Sequence, residues 1–230
     1  MSKIFKIFDR MTIEHVKRRT LFTFLIVQNI TFALIVLIFA NVIISNANVS
    51  GELDYSQIKN FYTTVIILLY LGSYIVTPLI MSKSLYSYYK NHIMEHLMAV
   101  KIDIDDIVFA MFMRGLSLVL ILFFSALPIA SVAFYFGGFG IIKLIKLLVC
   151  LLIYILLLSI VCTYISTRIV DGNLALVLSY LICFFILVFC LVTIRFVFNS
   201  RNIFIFYIVF VSIISLVLLA MARKTTAFKV

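Results

Sequence analysis

"YYKNHIMEHLMAVKIDIDDIV", residues 88–108, lies between two long apolar runs, Phe61–Met81 before it and Ile107–Phe136 after it. A helix that crosses a bilayer needs about 20 mostly apolar residues. Working outward, four more runs meet that length: Leu21–Ser45, Ile141–Ile165, Leu174–Thr193 and Ile203–Ala222. The composition agrees, with 65% hydrophobic and 12% charged residues, 23 Phe, 12 Tyr and no Trp. Soluble domains carry roughly twice that share of charge. The connections between the runs are too short for a separate soluble domain. The expected fold is an all-α integral membrane protein, one transmembrane domain over residues 1–230 with six transmembrane helices. The first run is too long, and lacks a convincing cleavage site, to read as a removed signal peptide.

Basic residues set the orientation, because Lys and Arg are retained on the cytoplasmic side. With the N-terminus inside, fourteen of the 19 basic residues fall on that side. Lys59, Lys143, Lys146, Arg195 and Arg201 fall outside. Both termini are expected to be cytoplasmic, and the net charge of +10 follows from topology without nucleic acid. Cys150, Cys162, Cys183 and Cys190 all lie in apolar runs and read as buried free thiols. Asn48-Val-Ser50 is a glycosylation sequon of the kind that also arises by chance.

Residues 1–20 are expected to form an interfacial helix. Ile4, Phe5, Ile7, Phe8 and Met11 fall on one arc, and Lys3, Lys6, Asp9 and Arg10 on the other.

The opening stretch contains His92, Glu95 and His96 in the H-x-x-E-H order of an inverted zinc-peptidase signature. Residues four apart share a helix face, and Glu95 would be the general base. A catalytic zinc needs a third protein ligand as well. No Glu follows the motif; Asp103, Asp105 and Asp106 are close along the chain, and Asp171 requires a loop to fold back. The motif also lies in a polar connection rather than within a span. An intramembrane zinc metallopeptidase is therefore the alternative reading.

A wider window, Met94 to Ile107, resembles the cytoplasmic loop of ABC type-two transporter permeases. That family commonly reads L-E-x-L-L-x-T-P-x-S-x-x-E-I between spans two and three. Glu95 falls on its Glu, Leu97 and Met98 on its Leu pair, Asp103 on its Ser, and Asp106-Ile107 on its Glu-Ile. Val100-Lys101 stands where the family has Thr-Pro. The interfacial helix, six spans, a third span with Pro128 and an outer Phe136-Gly137-Gly138 also look like this family. The resemblance implies a cytoplasmic coupling helix over residues 84–99, between spans two and three, that docks on an ATPase. Tyr89, Met94, Glu95, Leu97, Met98 and Asp103 would form the coupling surface. The residues agree independently: Leu85, Tyr88, Tyr89, Ile93, Leu97 and Met98 give a partly apolar helix that wants a protein partner.

No Walker A sequence occurs in the chain. The resemblance therefore implies an ABC exporter whose ATP and Mg sit on separate cytosolic ATPase subunits. A second permease subunit would complete the pathway, in a bacterial plasma membrane. No cofactor is expected on this chain. No acidic residue lies near any midplane, which argues against an ion-coupled carrier. Gln28 and Asn29 in the first span are polar groups that should face protein or a cavity, and they are the pathway candidates. Interhelix bonding is the competing role for both. So apolar a pathway suits a hydrophobic or amphipathic cargo, peptide or lipid-like.

Overall fold

The protein is described by a computed structural model that covers residues 18–51, 55–90, 104–135, 141–169, 171–199 and 201–224. Six helices occupy these residues: α1 Arg18–Ser50, α2 Tyr55–Lys90, α3 Ile104–Tyr135, α4 Ile141–Arg168, α5 Gly172–Asn199 and α6 Arg201–Lys224. Each contains a segment long and apolar enough to cross a membrane, and there is no strand among the described residues. Each of the six expected spans thus coincides with a helix longer than the run that predicted it, and only Phe136, at the end of the third run, falls outside the described residues. The expected interfacial helix at residues 1–20 falls almost wholly outside the described residues.

The helix ends follow local chemistry. Gly51 adopts φ 73° just beyond α1, and its N–H donates to the Ala47 carbonyl at 2.8 Å. That is a left-handed cap that only glycine makes without strain. At the start of α5, the Asp171 carboxylate accepts from the Asn173 N–H at 3.0 Å. The Asp171 carbonyl accepts from Ala175 N at 2.9 Å. Asp171 is thus an N-cap.

The end of α2 differs from expectation. The second span was expected to stop at Met81 and a separate helix to begin at Ser84. Instead α2 runs unbroken for 36 residues to Lys90. Nothing between Ser82 and Lys90 interrupts it, since that stretch has no Gly or Pro. At 1.5 Å per residue α2 is about 54 Å long, well beyond the ~30 Å hydrocarbon core. Pro78 and Pro128 lie inside α2 and α3, which continue through them.

The centre of the bundle is α4. Within its apolar stretch 61% of residues are buried, against 17% in α6 and 22% in α1. Leu151, Tyr154, Ile155, Leu158 and Cys162 are all fully enclosed. Helices α2, α3, α5 and α6 all pack on α4, while α1 leans on α3 and α2. Lipid tails are as apolar as leucine, so burying apolar surface does not drive this assembly; close packing does. On α5, Gly172, Ala175, Ser179 and Cys183 form a seam of small buried residues facing the interior. It lets α5 approach α2 and α4 closely. Gly115 does the same on α3, where any Cβ would collide with the Met81 side chain of α2. A pair of tyrosines then ties α2 to α5. Tyr74 OH donates to the Tyr180 carbonyl at 3.3 Å, and Tyr180 OH donates to the Ile75 carbonyl at 2.8 Å. Their rings meet edge to face at 5.7 Å.

Candidate functional site

The first span supplies the polar groups that matter. Gln28 and Asn29 are neighbours on α1, about 100° apart around the helix, and they meet different surroundings. Asn29 Nδ2 donates to Ser125 Oγ on α3 at 3.1 Å. The Ser125 hydroxyl has one proton and donates it to the Leu122 carbonyl at 2.7 Å. Its 3.5 Å approach to Asn29 Oδ1 is the weaker alternative. Asn29 is therefore a tie between α1 and α3.

Gln28 lines a cavity of about 350 Å³ between α1, α2 and α3. Its Oε1 is buried, and no hydrogen-bond donor among the described residues reaches it. Gly72 on α2 lies beside the amide, where even an added Cβ would only touch Gln28 Nε2, at 4.0 Å. Two hydroxyls also line the cavity, and both are committed to their own helices. Thr31 Oγ1 donates to the Val27 carbonyl at 2.8 Å, and Ser73 Oγ donates to the Leu69 carbonyl at 2.9 Å. The remaining lining is apolar, including Val119, Leu122, Phe123 and Ala126 of α3. A buried polar atom left unpaired costs about 1–3 kcal/mol. Among the described residues Gln28 Oε1 is thus the lining side-chain oxygen with no hydrogen bond of its own, open to a donor on an otherwise apolar molecule.

Of the proposed coupling residues, Tyr89 lies on the α2 extension, one residue before its end. Its side chain, and all of Met94, Glu95, Leu97, Met98 and Asp103, fall outside the described residues. So do His92 and His96 of the zinc motif. Among the described residues no three of His, Cys, Asp or Glu gather into a group that could hold a metal.

Other polar groups are buried in the bundle. Arg114 on α3 is only 7% exposed, the one buried charge among the described residues. The four cysteines are buried free thiols, as their apolar settings predict. Cys162 on α4 and Cys183 on α5 bring their sulfurs to 3.6 Å. Cys190 Sγ lies 3.3 Å from Tyr207 OH. The Tyr70 and Tyr154 rings meet in the core at 4.7 Å, tilted by 39°, and neither hydroxyl has a partner among the described residues.

The chain matches no protein-family model, no curated protein and no solved structure.

Proposed function

We propose that this chain is the membrane-spanning permease subunit of an ABC exporter. It would move a hydrophobic or amphipathic molecule, peptide or lipid-like, by alternating access. ATP would be hydrolysed on separate cytosolic subunits, since the chain has no Walker A sequence. The observation that carries the proposal is the α2 extension. A 36-residue helix passes through the bilayer and continues to Lys90. Lys90 is four residues before the Met94–Ile107 stretch that resembles the permease coupling loop. A continuous helix transmits a push along its axis, whereas a flexible connection would absorb it. The Gln28 cavity supports the cargo class: it is apolar with one unsatisfied acceptor, which suits an amphipathic molecule.

In this reading the chain sits in a bacterial plasma membrane with both termini in the cytosol. It pairs with a second permease subunit, identical or a sister chain. Affinity purification from native membranes in mild detergent tests the proposal. A stoichiometric cytosolic protein carrying a Walker A motif is expected. A chain that purifies alone, with bound zinc, would replace this reading with the metallopeptidase.

A further inference from the structure

A second and larger space lies on the opposite flank. Helices α5 and α6 each pack on α4 more closely than on each other, and they diverge around a groove of about 590 Å³. Leu157 and Ile165 of α4 form its floor, Phe185 and Phe189 of α5 one wall, Ile214 and Leu218 of α6 the other. The lining is apolar almost throughout. The exception is at one end, where the exposed Arg168 guanidinium sits 5.2 Å from the centre of the Tyr164 ring. A cation over an aromatic face is held in position by the ring's electron-rich surface.

The dimensions are informative. From Leu157 to Arg168 is eleven residues, about 16 Å along the helix axis. One leaflet of the hydrocarbon core is about 15 Å deep, half of the full ~30 Å. The groove therefore spans one leaflet, with its cation at the interface end. α6 finishes on the same membrane face, in the sequence Arg223-Lys224. The positive-inside count assigns that face to the cytosol, where anionic lipids are enriched.

We propose that this groove holds one acyl chain of an anionic phospholipid from that leaflet, with the lipid phosphate at Arg168. Charge complementarity selects the headgroup, and leaflet-deep apolar walls select the chain. The inference is independent of the transport reading, because it uses only the packing of α4, α5 and α6 and the distribution of basic residues along the chain.

The chain has no tryptophan, so one introduced indole reports alone. Phe185→Trp places it in the groove wall. Phe206→Trp places it on an exposed α6 position that does not line the groove. The purified full chain is reconstituted with phosphatidylglycerol or phosphatidylcholine brominated on the acyl chain, and quenching is read against mole fraction. At position 185 brominated phosphatidylglycerol is expected to quench at about fivefold lower mole fraction, the ratio that ~1 kcal/mol per basic side chain at a membrane surface supplies. At position 206 the two lipids should be equal. Arg168→Gln should bring position 185 to parity, and Arg168→Lys should keep most of the preference. If Phe185→Trp fails to fold, Ile182→Trp in the same wall gives the same readout. Parity at the groove with Arg168 intact shows ordinary annular lipid and overturns the proposal. So does a preference that survives Arg168→Gln. An unquenched groove indole beside a quenched Trp at 206 also overturns it, because a protein then covers the groove.

Discussion

Breaking the Asn29–Ser125 tie tests how α1 is held to the bundle. Among the described residues α1 is little enclosed, and Asn29 is its described side-chain hydrogen bond to α3. The structure provides one good bond, Asn29 Nδ2 to Ser125 Oγ at 3.1 Å. It does not provide two, because the Ser125 proton is closer to the Leu122 carbonyl, at 2.7 Å against 3.5 Å. Interhelix hydrogen bonds in membrane proteins average about 0.6 kcal/mol and reach at most ~1.7 kcal/mol in double-mutant cycles. A single half-buried bond belongs near that average, so the coupling energy of Asn29→Ala with Ser125→Ala is expected at about 0.5–1 kcal/mol. The assay is unfolding of the purified chain by SDS in mixed micelles, for the wild type, both single variants and the double. Gln28→Leu is the internal comparison. It removes an acceptor that has no partner among the described residues, so stability should hold or rise. A coupling of zero would refute the tie and return Asn29 to the pathway. A coupling above ~2 kcal/mol would refute the one-bond count, since it exceeds the known ceiling for such pairs.

Gly115→Ala should destabilise the bundle by about 1–3 kcal/mol, the usual cost of overpacking, because its methyl meets Met81. Adding Met81→Ala should recover part of the loss, and thermal unfolding in detergent reads both. Oxidation by copper phenanthroline should remove two of the four thiols, through a disulfide between Cys162 and Cys183, with the electrons passing to the oxidant. Maleimide counting after denaturation measures this, and Cys162→Ser should leave the other three thiols intact. Charge reversal at Glu95, Glu95→Lys, should lower ATPase co-purification several-fold while membrane insertion stays normal. Unchanged co-purification would count against a coupling role for Glu95.

Much of this fold was legible because hydrocarbon thickness is a strict ruler. Six runs of about 20 apolar residues became six helices, and the Asp171 and Gly51 ends use ordinary capping chemistry. Helix ends were less legible. Apolar content marks where a helix leaves the lipid, whereas the helix itself ends where backbone chemistry changes. With no Gly or Pro in residues 82–90, α2 continues past Met81 to Lys90.

Packing was the least legible layer. Helices that are apolar all round show no preferred face, so nothing in the composition of α4 distinguishes it as the centre. One readable signal was overlooked: Ala175, Ser179 and Cys183, four residues apart, mark the inward face of α5. The pathway pair shows the same limit at smaller scale. Gln28 and Asn29 are adjacent amides that sequence reasoning treated alike, and one turned out to be a tie while the other lines a cavity. What separates them, the Ser125 hydroxyl beside Asn29 and the α2 and α3 cavity wall beside Gln28, lies on other helices and far along the chain. The Tyr74–Tyr180 clamp joins residues 106 apart and was equally hidden.

The most direct test of the permease reading is a photocrosslink from the proposed coupling surface. A benzophenone amino acid replaces Leu97, and cells are irradiated before lysis. The expected result is a covalent adduct with a cytosolic protein that carries a Walker A motif, strongest at this position and absent from one placed at Phe206 on α6. Adducts confined to lipid, or to this chain itself, would contradict it.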